Sequence, residues 1–182
     1  MNLFKDISAG DDIPKEINVI VEIPKGSKNK YEFDEKTGLI ILDRVLYSAV
    51  YFPFDYGTMP QTLSEDGDPL DIVLLSSFGT FPGCLVKARP IGILLMKDEA
   101  GTDHKILAVP QAKLDPRFSS VGDIKDLSEH QKKEIQEFFE TYKRLEPNKW
   151  VKITGWQGAN KAREVIREAA ERYKEGRKES NR

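Results

Sequence analysis

The chain has 182 residues and a mass of 20.7 kDa, with 28 Lys and Arg against 30 Asp and Glu and a formal net charge of −2. Charged residues make up 32% and apolar ones 39%, which suits one soluble globular domain over residues 1–182 with ample chain for a core. The near-neutral balance argues against nucleic acid as a partner, the single Cys84 excludes an internal disulfide, and no apolar run is long enough to span a membrane. The first residues carry no signal-peptide core, so cytoplasm is the expected compartment.

Residues 1–14 are polar and acidic and are expected to form a loosely packed arm or short helix. Ile17-Asn18-Val19-Ile20-Val21-Glu22-Ile23 is β-branched and mostly alternating, and Pro24-Lys25-Gly26 ends it, which predicts a strand. Glu22 is the one charge inside that strand and belongs either on a solvated face or in a site. Two further β-rich runs flank Glu35-Lys36-Thr37-Gly38 and predict a hairpin, with Lys30, Glu32 and Arg44 on one face. Cross-strand ion pairing accounts for those three by itself. Next comes an aromatic loop holding Tyr47, Tyr51, Phe52, Phe54 and Tyr56. Base stacking would call for a basic strip, and the neighbours here are acids, so these rings are expected in a core or a pocket wall.

The stretch Glu65-Asp66-Gly67-Asp68-Pro69-Leu70-Asp71 places four carboxylates and no cation in one turn, just before the buried-strand pattern Ile72-Val73-Leu74-Leu75. Two unit charges about 5 Å apart repel by roughly 3 kcal/mol at an effective dielectric near 20. Such a cluster calls for a cation, and its all-oxygen donors favour Mg²⁺ or Mn²⁺ over zinc. Ordinary solvated turn chemistry is the alternative. A calcium EF-hand is not, because Leu70, Asp71 and Ser77 fall where that loop needs an acid, a glycine and a glutamate.

Cys84 is expected as a small core residue at the head of a strand that runs to Met96 with a break at Pro90. A second acidic turn follows, Asp98-Glu99-Ala100-Gly101-Thr102-Asp103, and two such turns between β segments suggest two walls of a multi-metal site. Ile106-Leu107-Ala108-Val109 returns as a strand. His104 and His130 share no ligand spacing and are expected at the surface without a role. Ser128 with Gln131 forms a capping box that opens a helix, whose stripe is Ile135, Phe138, Phe139, Tyr142 and Leu145. Lys149 to Trp156 is a further strand. A last helix from about Asn160 turns Ala162, Val165, Ile166, Ala169 and Tyr173 inward, and the charged tail, residues 174–182, is expected to fray. Several short strands followed by two helices predict an α+β architecture: a closed or partly closed OB-like β-barrel with peripheral helices.

Asp66-Gly67-Asp68-Pro69-Leu70-Asp71 closely resembles the D-[SGDN]-D-[PE]-[LIVMF]-D signature of the family I soluble inorganic pyrophosphatases. The likeness spans about Ile17 to Tyr173. Glu22-Ile23-Pro24, Lys30-Tyr31-Glu32, Asp43-Arg44, Tyr56-Gly57, Arg89-Pro90-Ile91-Gly92, Asp98-Glu99-Ala100-Gly101, Lys105, Tyr142-Lys143 and Lys149-Trp150-Val151 stand in the family's order.

The resemblance implies an OB-like barrel and hydrolysis of pyrophosphate to two orthophosphates, which draws pyrophosphate-releasing biosynthesis forward. It implies several Mg²⁺ ions, with Mn²⁺ as a possible substitute. Asp66, Asp71 and Asp103 would take a first ion, Asp71 a second, Asp98 and Asp103 a third, and Glu22 a fourth. Asp68 would be the general base, and Lys30, Arg44, Tyr56, Lys105, Tyr142 and Lys143 the phosphate contacts. The short chain resembles prokaryotic members, which are usually hexamers. Phe52 and Asp55 depart from the family's Tyr and Asn; Phe52 gives up a hydroxyl, and Asp55 adds an acid beside Tyr56 that is expected to perturb the pocket.

Overall fold

The structure is a computed structural model that describes residues 2–34 and 37–180. Among these residues nine strands and two α-helices follow one another as β1 (Ile17–Ile23), β2 (Asn29–Asp34), β3 (Leu39–Val45), β4 (Asp55–Met59), β5 (Leu70–Leu74), β6 (Leu85–Asp98), β7 (Gly101–Thr102), β8 (Lys105–Pro110), α1 (Glu129–Thr141), β9 (Val151–Gly158) and α2 (Ala159–Ser180). Strand β1 pairs with β4, β4 with β5, β5 with β8, β8 with β6, and β6 returns to β1, which closes a barrel. Closure leaves none of these strands as a bare edge. Among the described residues only the β5–β8 contact is parallel, and β7 and β9 extend the sheet from β6. The expected OB-like α+β barrel is what this chain forms.

Strand alternation divides the core in two. Val19, Val21, Ile72, Leu74, Ile106 and Ala108 pack with Ala162, Ile166 and Ala169 of α2. Ile23, Val73, Leu107 and Val109 pack with Phe52, Phe54 and with Ile135, Phe138 and Phe139 of α1. Strand β1 is therefore buried on both faces, which explains its near-continuous β-branched run. In β6 the expected break at Pro90 is a register shift between Pro90 and Gly92, so the strand continues to Asp98 with its face re-aimed. Gly57 is required where β4 crosses β1, since a Cβ there would stand 2.0 Å from the Ile20 carbonyl oxygen.

The capping box forms as expected: Ser128 Oγ accepts from Gln131 N at 3.2 Å, and Gln131 Oε1 accepts from Ser128 N at 3.0 Å. Helix α1 stops at Thr141, so Leu145 lies past its end and is 64% exposed instead of joining the stripe. The expected strand at Lys149 begins at Val151. Helix α2 continues through residues 174–180, where the sequence suggests fraying; Asn181 and Arg182 lie outside the described residues. So do Glu35 and Lys36 of the β2–β3 turn. Near the N-terminus Phe4 is buried edge-on against Phe33, with ring centroids 4.5 Å apart, and Ala9 joins the core, so part of this segment packs more closely than a loose arm. Among the described residues no helix is long and apolar enough to cross a membrane.

Candidate active site

A cavity of about 500 Å³ lies at one side of the barrel, walled by strand ends and by the β2–β3 hairpin. All twelve residues given a catalytic, phosphate-binding or metal-binding role by the family resemblance line it: Glu22, Lys30, Arg44, Tyr56, Asp66, Asp68, Asp71, Asp98, Asp103, Lys105, Tyr142 and Lys143.

Register explains the convergence. The antiparallel β4–β5 pairing sets Thr58 opposite Asp71, and β1–β4 sets Ile23 opposite Tyr56. In the parallel contact Ile72 pairs with Ile106, so their predecessors Asp71 and Lys105 lie together where both strands begin. The β6–β7 hairpin pairs Asp98 with Gly101, whose φ of +129° only glycine adopts readily, and brings Asp103 back beside β6. Tyr142 is the C-cap of α1, held by stacking on Phe138 with centroids 5.1 Å apart and by an edge contact with Phe139 at 5.9 Å. Lys143 follows it into the cavity. In the hairpin Lys30 pairs across to Arg44.

Acids and cations are interleaved. The buried Lys105 ammonium donates to Asp71 Oδ2 and to Asp103 Oδ1, each at 2.5 Å, and stands 5.7 Å from the Tyr56 ring centre. Burial opposes its charge, but the Asp71, Tyr56 and Asp103 fields win and hold its pKa well above the ordinary lysine value. Lys143 Nζ donates to Asp98 Oδ2 at 2.6 Å and lies 3.6 Å from Glu99. Burial also works against the Asp98 charge, yet the hydrogen bonds from Lys143 and from Ala100 N hold that carboxyl below its usual range. Arg44 Nε donates to Glu146 Oε1 at 3.0 Å while its Nη1 contacts Asp43, and Lys30 pairs with Glu32 and, at 3.4 Å, with Asp43. Asp66 and Asp68 are exposed on the β4–β5 loop, where Asp66 Oδ1 accepts from Asp68 N at 3.1 Å.

Glu22 settles the choice left open by the sequence: it is 6% exposed and in the cavity wall, not on a solvated face. Burial drives its carboxyl up to about 8; one hydrogen bond, from Phe33 N at 2.9 Å, opposes that, and Asp71 adds repulsion. Burial raises Asp103 as well, and both tyrosine hydroxyls are pushed up for the same reason. Carboxylates that resist ionisation in a cavity edged by other acids suit a bound hard cation, and the donors are all oxygen. As they lie, no three carboxylates among the described residues are gathered around a single point, because ammonium groups stand between them.

Some lining residues were given no role in the site. Glu32, Glu99 and Lys149 also face the cavity. Lys149 Nζ donates to Glu99 at 2.5 Å, and although burial opposes it, this bond helps draw the Glu99 carboxyl down to about 2. Glu32 shares a strand face with Lys30, and Glu99 stands in the acidic turn, so both carried a sequence signal. Glu146, the partner of Arg44 across 102 positions, carried none.

Of the two family departures, Asp55 lies elsewhere than the sequence suggests, and Phe52 takes the expected core place. Asp55 is fully buried and does not line the cavity; it accepts from Lys25 N at 2.7 Å, Ser76 Oγ at 3.0 Å and Thr80 N at 3.2 Å. Adjacent residues of a strand face opposite ways, so Asp55 stitches loops together behind Tyr56. Phe52 is core, 4.6 Å from the Phe138 ring centre. Tyr47 and Tyr51 are exposed and do not share the core or the pocket wall. His104 is half-buried, with Nδ1 3.2 Å from Met96 N, and so is not a free surface residue, whereas His130 is exposed.

Comparison with known proteins agrees with this geometry. The family model for inorganic pyrophosphatase matches residues 19–174. A curated inorganic pyrophosphatase of Saccharolobus solfataricus is 52% identical over 170 residues, covering 93% of this chain and 99% of the relative. The crystal structure of the Thermus thermophilus inorganic pyrophosphatase superposes with a TM-score of 0.92 at 47% identity, covering 96% of this chain and 99% of that one. A type I inorganic pyrophosphatase from Toxoplasma gondii keeps the fold at 27% identity, with a TM-score of 0.83 over 92% of this chain and 85% of its own. With its acidic signature on the cavity wall and the match running nearly end to end, this chain belongs to the inorganic pyrophosphatase family.

Proposed function

We propose that the chain hydrolyses inorganic pyrophosphate to two orthophosphates with Mg²⁺ held in the cavity. The observation that carries this reading is the gathering of the acidic set and the cationic set, from strands and loops far apart in sequence, around one cavity. Pyrophosphate is a compact polyanion. Its cleavage needs its charge neutralised, a water made nucleophilic near pH 7, and the leaving phosphate stabilised. Asp66, Asp71, Asp103, Asp98 and Glu22 supply the oxygen donors for the ions, and Mn²⁺ takes the same donors. Bound Mg²⁺ would neutralise substrate charge and acidify a water, whose pKa falls from about 15.7 toward 7 in such sites.

The remaining work falls to the protein. Asp68, exposed on the loop, takes the proton of the attacking water. Lys30, Arg44, Lys105 and Lys143 bind the outer phosphate oxygens and hold the charge that moves onto the leaving group. Tyr56 and Tyr142, whose hydroxyls stay protonated well past neutral pH, donate hydrogen bonds without adding charge. Lys105 and Lys143 grip Asp71, Asp103 and Asp98, the same carboxylates that would take metal. Ions held by these oxygens would compete with the ammonium groups and leave Lys105 and Lys143 available to the substrate.

A homo-hexamer in the cytoplasm that draws pyrophosphate-releasing biosynthesis forward completes the proposal. The test is phosphate release by the purified protein at pH 7 to 8, with Mg²⁺ and with chelator, beside ATP and tripolyphosphate. Rapid Mg²⁺-dependent release confined to pyrophosphate is expected. No release with either Mg²⁺ or Mn²⁺ would overturn the reading.

A further inference from the structure

A second cavity, of about 530 Å³, opens between the Asp12–Glu16 segment, Pro90 of β6, Gly122 and the first turns of α2. It shares no lining residue with the catalytic cavity. Arg89 reaches it from β6, and Arg163 and Arg167, four positions apart on α2, reach it from one helix face. Lys15 adds a fourth cation against the carboxylates of Asp12 and Glu16, and Asp12 is already 3.9 Å from Lys15. The pocket is thus cationic on a chain whose net charge is −2.

Two details separate this cluster from an ordinary solvated basic face. The Nε atoms of Arg89 and Arg163 are shut off from solvent and have no hydrogen-bond partner among the described residues. Arg89 gives only its Nη2, to the Phe118 carbonyl at 2.9 Å, and neither Arg163 nor Arg167 enters an ion pair among the described residues. Like charges four apart on a helix repel, and an anion held between the Arg163 and Arg167 guanidinium groups relieves that repulsion. The helix N-terminus plays no part, because Asp123 Oδ2 already accepts from Ala159 N at 2.9 Å. Guanidinium forks match the oxygens of a phosphate two at a time.

We propose that this arginine pocket binds a phosphate dianion, either free orthophosphate or the phosphate group of a small monoester. The test is calorimetric titration of the intact protein in chelator, with orthophosphate and separately with adenosine monophosphate. Three proteins are compared: the natural chain, Arg163→Ala/Arg167→Ala, and Arg44→Ala/Lys143→Ala, which removes catalytic-cavity cations. The natural chain is expected to show a phosphate site that survives in Arg44→Ala/Lys143→Ala and weakens by about tenfold or more in Arg163→Ala/Arg167→Ala. The latter variant should still release phosphate from pyrophosphate. Binding of orthophosphate alone would identify a free oxyanion site, and binding of both ligands a monoester site. If Arg163→Ala/Arg167→Ala fails to fold, Arg167→Glu, at an exposed position, serves as the probe. Identical isotherms for the natural chain and its pocket variants would overturn the proposal, whatever the hydrolysis assay shows.

Discussion

Replacing Glu22 by Gln should stabilise the metal-free protein at alkaline pH and leave it nearly unchanged at pH 5. Glu22 ionises near 4.5 in an open chain and near 8 in the folded cavity, with burial as the main cause. Between those values the folded state keeps a proton that the unfolded state has lost. Stability therefore falls as pH rises, by about 1.4 kcal/mol per unit, and levels off above about 8. The full span corresponds to about 5 kcal/mol, and water entering the cavity trims this to roughly 3 kcal/mol. Gln keeps an oxygen to accept the Phe33 N–H and carries no charge to desolvate. For a chain of this size the variant should melt roughly 6–12 °C above the natural chain at pH 9. The assay is thermal unfolding in chelator at pH 5, 7 and 9, at one protein concentration. A melting difference that does not grow with pH would show that Glu22 is ionised and solvated in the folded cavity, and would refute the argument from burial.

The other expectations concern chemistry and backbone. Asp68→Asn removes the proposed base, so turnover should fall by about 10²–10⁴-fold while the Mg²⁺ activation curve keeps its midpoint; near-normal turnover at neutral pH would remove Asp68 from the role. Asp71→Ala takes away one of the two carboxylates that hold Lys105 and a proposed ligand, so half-activation should need more than about tenfold higher Mg²⁺, and an unchanged curve would contradict the assignment. Gly57→Ala would place a methyl 2.0 Å from the Ile20 oxygen and 2.8 Å from the Val21 Cα, so backbone must shift, with a loss of about 3 kcal/mol visible as a lower Tm; an unaltered melt would mean that β1 and β4 separate more easily than their pairing suggests.

What could be read from the chain was whatever depends on neighbours in sequence. Strand β1, the capping box at Ser128, the α2 stripe and both acidic turns rest on alternation, helical spacing or turn residues, and each is found in the fold. What depends on which strand meets which could not be read that way. Glu22 alternates into the cavity only because β1 is covered on both faces, by β-sheet contacts whose register no local pattern states. Lys105 meets Asp71 through the parallel contact of β5 with β8. Arg44 finds Glu146 across 102 positions. For Glu22, Tyr142 and Lys30 the family resemblance supplied what spacing could not. It also led astray at Asp55: adjacency to Tyr56 in sequence suggested a disturbed pocket, whereas strand alternation sends the side chain to the opposite face.

The same interleaving bears on how such a site survives without its ions. Gathering Glu22, Asp71, Asp98 and Asp103 around one cavity would be strongly repulsive if each stood as a bare carboxylate. Two devices hold the set together in the protein itself. Glu22 keeps its proton to about pH 8, and the lysines occupy the space between the remaining acids. Both devices are reversible. Under the proposed function, a divalent cation at these oxygens would take the place of the Glu22 proton and of the ammonium groups, leaving Lys105 and Lys143 to meet a phosphate. The carboxylates and the Tyr142 hydroxyl facing Lys105 and Lys143 outweigh the burial that opposes their charge, so both lysines stay protonated across the neutral range, as the proposed contact with a phosphate requires.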